Sequence, residues 1–147
     1  MDLEKKMIKL DQHFDTKEEA IKAAGQLLVD GGCVDKGYID SMLKRNKELS
    51  TYIGNFIAIP HGTDESKEYI KKTGISVVQI PKGIEFGESS DDHKLVTVVF
   101  GIAGLNNEHL NVLSQIALFC TKIDNVAKLA DAQSEQEVID LLEKVKE

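Results

Sequence analysis

A chain of 147 residues, 41% hydrophobic and 29% charged, has the composition of one soluble domain with a sizeable core. A net charge of −7 without a basic run argues against nucleic acid, no apolar stretch could span a bilayer, and Met1-Asp2-Leu3-Glu4-Lys5-Lys6 is no signal peptide. The expected setting is the cytoplasm, where Cys33 and Cys120 stay reduced and read as buried or incidental thiols.

Met7 to Leu10 is a short candidate strand. Thr16 and Glu19 form a capping box, each satisfying an amide at a helix start. Ala20, Ile21, Ala24, Leu27 and Leu28 recur at helical spacing, and Gly31-Gly32 ends that helix. Asp35 can cap a second helix, with Tyr38, Ile39, Met42 and Leu43 inward and an end near Asn46. Phe56 to Ile59 reads as a buried strand, stopped by Pro60, which has no N–H to give a sheet. A short polar helix is expected over about Asp64 to Lys71. Ile75 to Ile80 is a β-branched strand closed by Pro81, and Lys82 to His93 reads as a surface loop or hairpin. Leu95 to Ile102 is almost wholly apolar and fits a central strand covered on both faces. Asn107 can cap a helix from Glu108 to about Thr121, with Leu110, Leu113, Ile116, Ala117 and Cys120 as its stripe. A short helix over Asp124 to Ala130 and a last one opened by the Ser134/Glu137 box, with Val138, Leu141, Leu142 and Val145 inward, complete the chain. Helices alternating with apolar strands predict a single α/β domain over residues 1–147. Its architecture is a layered α/β/α sandwich, a mixed sheet with helices on both faces.

Chemistry concentrates at Gly54-Asn55-Phe56-Ile57-Ala58-Ile59-Pro60-His61-Gly62. His61 stands at the carboxyl end of a predicted strand, where open α/β sheets place ligands. The turn is fixed by proline before and glycine after, and its backbone amides are expected near the ring, ready for an anion. From spacing alone, His61 fits a structural role as well as a functional one. His109, in the first turn of the helix after the strongest strand, equally reads as a surface histidine. If the two strands are parallel neighbours, the two histidines meet at one sheet edge. Arg45 is the only arginine; its planar fork suits phosphate oxygens, but its position also suits an exposed helix-end charge. His13 and His93 read as surface residues. No zinc spacing, no Gly-x-Ser-x-Gly and no glycine-rich nucleotide loop is present, so no metal or other cofactor is expected.

The whole pattern resembles the IIA proteins of the bacterial sugar phosphotransferase system, mannitol/fructose class. Asn46, Ile53-Gly54 and Ile57-Ala58-Ile59-Pro60-His61-Gly62 match the family's phosphorylation-site spacing. Thr16-Lys17-Glu18-Glu19-Ala20-Ile21, Thr51-Tyr52-Ile53-Gly54 and Asn106-Asn107-Glu108-His109-Leu110 resemble the mannitol type. The resemblance implies a phosphocarrier. His61 would accept a phosphoryl group on Nε2 from HPr and pass it to a cysteine of a IIB partner, and the membrane IIC partner would be involved only indirectly. His109 and Arg45 would stabilise the phosphoryl oxygens. Relatives often carry glutamate at the position matching Asn55. Two alternatives differ in class: a nitrogen-type regulatory or fructose-type relative, and a binding module in which His61 is structural.

Overall fold

The computed structural model describes residues 3–106 and 108–143. The cap expected of Asn107, the inward side chain of Val145 and the ring of His109 lie outside the described residues. Among the described residues five strands form one mixed sheet: β1 (Ile8–Lys9), β2 (Tyr52–Gly54), β3 (Ile57–Ala58), β4 (Gly74–Glu85) and β5 (Leu95–Ala103), in the order β1-β4-β5-β3-β2. β1 runs parallel to β4 and β3 parallel to β5, while the β4–β5 and β2–β3 pairs are antiparallel. The expected mixed sheet and the parallel neighbourhood of the two histidine-bearing strand ends are both present.

The helices are α1 (Lys17–Asp30), α2 (Gly37–Glu48), α3 (Glu108–Phe119), α4 (Ile123–Asp131) and α5 (Glu135–Glu143). Strand side chains alternate between faces, so the sheet feeds two separate cores. Val78, Ile80 and Val99 pack with Ile21, Leu28 and Met42 of α1 and α2. Val77, Val98 and Phe100 pack with Ile116, Leu129 and Leu142 of α3, α4 and α5. Half of each expected capping box forms: the amide of Glu19 donates to Thr16 Oγ1 and that of Glu137 to Ser134 Oγ, each at 3.2 Å, while the carboxylates accept instead from Thr16 Oγ1 and from Gln133 N. Gly32 follows α1 with φ +77°, the left-handed conformation that glycine supplies cheaply just past a helix end.

Six expectations need correction. Leu110, expected on the inward stripe of α3, is exposed. β2 was not expected; it is a three-residue edge strand. β4 does not close at Pro81 but runs to Glu85, because a bulge between Gln79 and Ile84 takes up the proline, which is exposed and owes the ladder no N–H. Asp35 does not cap α2 with its side chain. Its carbonyl accepts from Tyr38 N at 3.0 Å, while its carboxylate pairs with Lys71 Nζ at 3.0 Å. α2 reaches Glu48 rather than Asn46. The polar segment after His61 is a 3-10 helix, Asp64–Tyr69.

Candidate functional site

The turn that carries His61 is built from both directions. Upstream, the buried Asn46 Oδ1 accepts from Thr51 N at 2.9 Å and from Thr51 Oγ1 at 2.7 Å. The carbonyl of Thr51 accepts from Ile59 N at 3.0 Å. Ile59 then presents its own carbonyl oxygen to His61 Nδ1 at 2.8 Å. A carbonyl can only accept, so Nδ1 carries the hydrogen. In the neutral ring Nε2 is therefore the basic, nucleophilic nitrogen. The polar residue at Asn46, fifteen positions before the histidine, is thus linked to the ring through three successive contacts.

Downstream, Ile102 N donates to Pro60 O at 3.0 Å, so β5 holds the turn at the shared carboxyl end of β3 and β5. Gly62 N donates to Tyr38 Oη at 2.8 Å, and the phenol donates to Ile102 O at 2.8 Å. Thr63 N donates to Ser41 Oγ at 2.8 Å, and Ser66 Oγ donates to Thr63 O at 2.6 Å. The amides of Gly62 and Thr63 are thus engaged by side chains of α2. That corrects the expectation that the turn amides wait for an anion. Gly62 has no room for a side chain: a Cβ would lie 2.4 Å from Ser66 Oγ and 2.5 Å from Tyr38 Cε1. The ring itself is half-buried.

Arg45 lies one helical turn past Ser41 on α2, hence on the face that meets the His61 turn. Its Nη1 donates to Leu49 O at 2.6 Å, which fastens the guanidinium at the end of α2. His109 is the second residue of α3, which starts at the carboxyl end of β5, the edge that holds His61. The start of α3 is tied to the residue just before β4: Thr73 Oγ1 donates to Glu108 Oε2 at 2.5 Å and accepts from Leu105 N at 3.0 Å. Asn55 lies elsewhere. The carbonyl of its neighbour Phe56 accepts from Thr97 N at 2.8 Å, near the amino end of β5 and away from the Ile102 end that meets His61. Asn55 Nδ2 donates to Cys120 O at 2.9 Å and Thr121 O at 3.3 Å, just past the end of α3. Among the described residues no cluster of three or more His, Cys, Asp and Glu could hold a metal ion.

Sequence reasoning missed Tyr38, Ser41 and Thr73 as contributors. A signal existed for the first two, since a tyrosine and a serine on a core-facing helix stripe must find hydrogen-bond partners. Their partner could not be read, because it is set by how α2 crosses the strand end.

Residues 1–145 match the family described as phosphoenolpyruvate-dependent sugar phosphotransferase system, EIIA 2. The chain is 54% identical over 135 residues to the mannitol-specific phosphotransferase enzyme IIA component of Enterococcus faecalis, covering 92% of each protein. It is 50% identical over 143 residues to the component of the same name in Bacillus subtilis, covering 97% of each. Among solved structures, a complex of enzyme IIA-mannitol with phosphorylated enzyme IIB-mannitol from Escherichia coli aligns with a TM-score of 0.90 at 40% identity, covering 97% of both chains. The chain belongs to the EIIA 2 family of the phosphoenolpyruvate-dependent sugar phosphotransferase system.

Proposed function

We propose that this chain is the phosphocarrier of a mannitol phosphotransferase system, with Nε2 of His61 as the atom that carries the phosphoryl group. The observation that carries this reading is the 2.8 Å contact from His61 Nδ1 to Ile59 O, which makes Nε2 the nucleophile at a fixed strand end. The relatives named for mannitol and the Escherichia coli IIA–IIB complex support the substrate class and the partner. Phosphorus bonds to Nε2 as its bond to the donor atom on HPr breaks, and that bond's electron pair stays with HPr. In the next step a IIB cysteine sulfur takes the phosphorus and the pair returns to Nε2. Imidazole suits both steps, being nucleophilic near neutral pH and a good leaving group from phosphorus. His109 and Arg45 stabilise the oxygens in transit, Arg45 after leaving the Leu49 carbonyl. No helix among the described residues is long and apolar enough to cross a membrane. The carrier works in the cytoplasm, and IIB, not this chain, delivers the group to the membrane-bound IIC.

The test is incubation with phosphoenolpyruvate, Enzyme I and HPr. Acid-labile phosphate is expected on the wild type and none on His61→Ala; persistent labelling of that variant would move the site elsewhere. In rapid-quench transfer, His109→Ala should still accept phosphate but slow at least one step by about 10²–10³, the usual cost of losing one oxyanion donor. Arg45→Lys should fall between wild type and Arg45→Ala, because it keeps the charge and loses the fork. Wild-type rates in both directions would make either residue a bystander.

A further inference from the structure

Tyr38 does work at the strand end that the phosphorylation motif does not include. It is the second residue of α2, and its ring is only 3% exposed. The last direct bond between the turn and β5 runs from Ile102 N to Pro60 O. In a parallel ladder the next bond would join Gly62 N to Ile102 O. Here the phenol oxygen sits between them, accepting from Gly62 N and donating to Ile102 O, each at 2.8 Å. Beside it is a hollow of about 20 Å³, lined by Tyr38, His61, Gly62, Thr63, Ile70 and Gly104. The phenol therefore bridges the last rung of the His61–Ile102 pairing, immediately after His61.

We propose that Tyr38 is a positioning residue for His61, setting the direction of Nε2 through the Gly62 peptide. This rests on His61 being the phosphoryl acceptor. Ile59 O fixes the ring by Nδ1, Ile102 N fixes the peptide before it, and Tyr38 fixes the peptide after it. Without the hydroxyl, Gly62 N–H and Ile102 C=O must either remain unpaired at a largely buried site or close onto each other. Pairing is favoured, and it would draw the turn toward β5 and swing the ring with it. Misplacement on that scale costs in-line transfer without touching the partner surface.

The experiment compares wild type, Tyr38→Phe and His61→Ala as full-length chains in single-turnover transfer from phosphorylated HPr, with NMR of the Gly62 amide and the His61 ring nitrogens. Tyr38→Phe is expected to be folded and labelled on His61. Its maximal rate should fall about tenfold to a hundredfold, its half-saturating HPr concentration should stay at the wild-type value, and the Gly62 amide resonance should move. A wild-type maximal rate in folded Tyr38→Phe overturns the proposal. So does a loss confined to HPr binding. If Tyr38→Phe does not fold, Tyr38→3-fluorotyrosine keeps the volume and weakens the acceptor oxygen; a lowered maximal rate supports the proposal and an unchanged one overturns it. If the wild type itself takes no phosphate, the reading of His61 fails first and Tyr38 has nothing to position.

Discussion

At the scale of single residues, burial sets the behaviour of Tyr38. Desolvation pushes its phenol up to about 12, while the Gly62 amide aimed at its oxygen pulls the other way. The folded state thus holds this proton more tightly than the unfolded chain, where tyrosine ionises near 10. The stabilisation is complete below pH 10 and is lost as pH rises through about 12. Two units correspond to about 3 kcal/mol. Denaturant unfolding of wild type and Tyr38→Phe between pH 9 and 12 should show the gap between them narrowing by roughly that amount. A gap independent of pH would mean that the phenol ionises without feeling the fold. The two thiols are governed by the same physics: burial raises Cys33 and pushes Cys120 up to about 12. A thiol that resists ionisation is a poor nucleophile, in keeping with the proposal that the imidazole carries the phosphoryl group.

At the scale of elements, the hairpin between β2 and β3 decides what Asn55 is for. Asn55 and Phe56 both sit in the left-handed region, φ 49° and 68°, as a two-residue type I′ turn requires. Asparagine tolerates that conformation and also carries the N–H donors that reach the carbonyls beyond α3. A glutamate here would have nothing to donate and would set a negative charge against the negative end of a helix dipole. Asn55→Asp keeps shape and backbone tolerance but loses the donors. It should cost about 1–2 kcal/mol in thermal unfolding while phosphate uptake, at the other end of β5, stays within about twofold. A large loss of uptake would tie the hairpin to the site. The helices were legible because caps and apolar stripes are local: Thr16/Glu19 and Ser134/Glu137 could be read directly. β2 was not legible, because Tyr52-Ile53-Gly54 is short, lies at an edge and ends in glycine. Nor was the path of β4 beyond Pro81, which depends on β5 pairing Ile84 with Val96 across a bulge. His61 was legible in its motif; Tyr38 and Ser41 were not, because more than twenty residues of chain separate them from Gly62 and Thr63, the amides they hold.

At the scale of the whole molecule, the sheet keeps two cores apart, with α1 and α2 on one face and α3, α4 and α5 on the other. Groups from α2 and α3 can converge past the carboxyl ends of β3 and β5, where His61 lies. HPr and IIB must then use overlapping surfaces around that edge, where Leu110 of α3 is 56% exposed. In a competition titration IIB should displace labelled HPr completely; a ternary complex would contradict a single shared edge. The turn at that edge has a further consequence. A molecular switch needs two packings of similar energy. The backbone from Ile59 to Thr63 is already committed to Thr51, Ile102, Tyr38 and Ser41, so it offers one. On the proposed assignment, a phosphoryl group on His61 would leave the backbone of this frame in place and register as added charge and as a shift of side chains such as Arg45. The molecule is built to hand something over, not to remember that it was holding it.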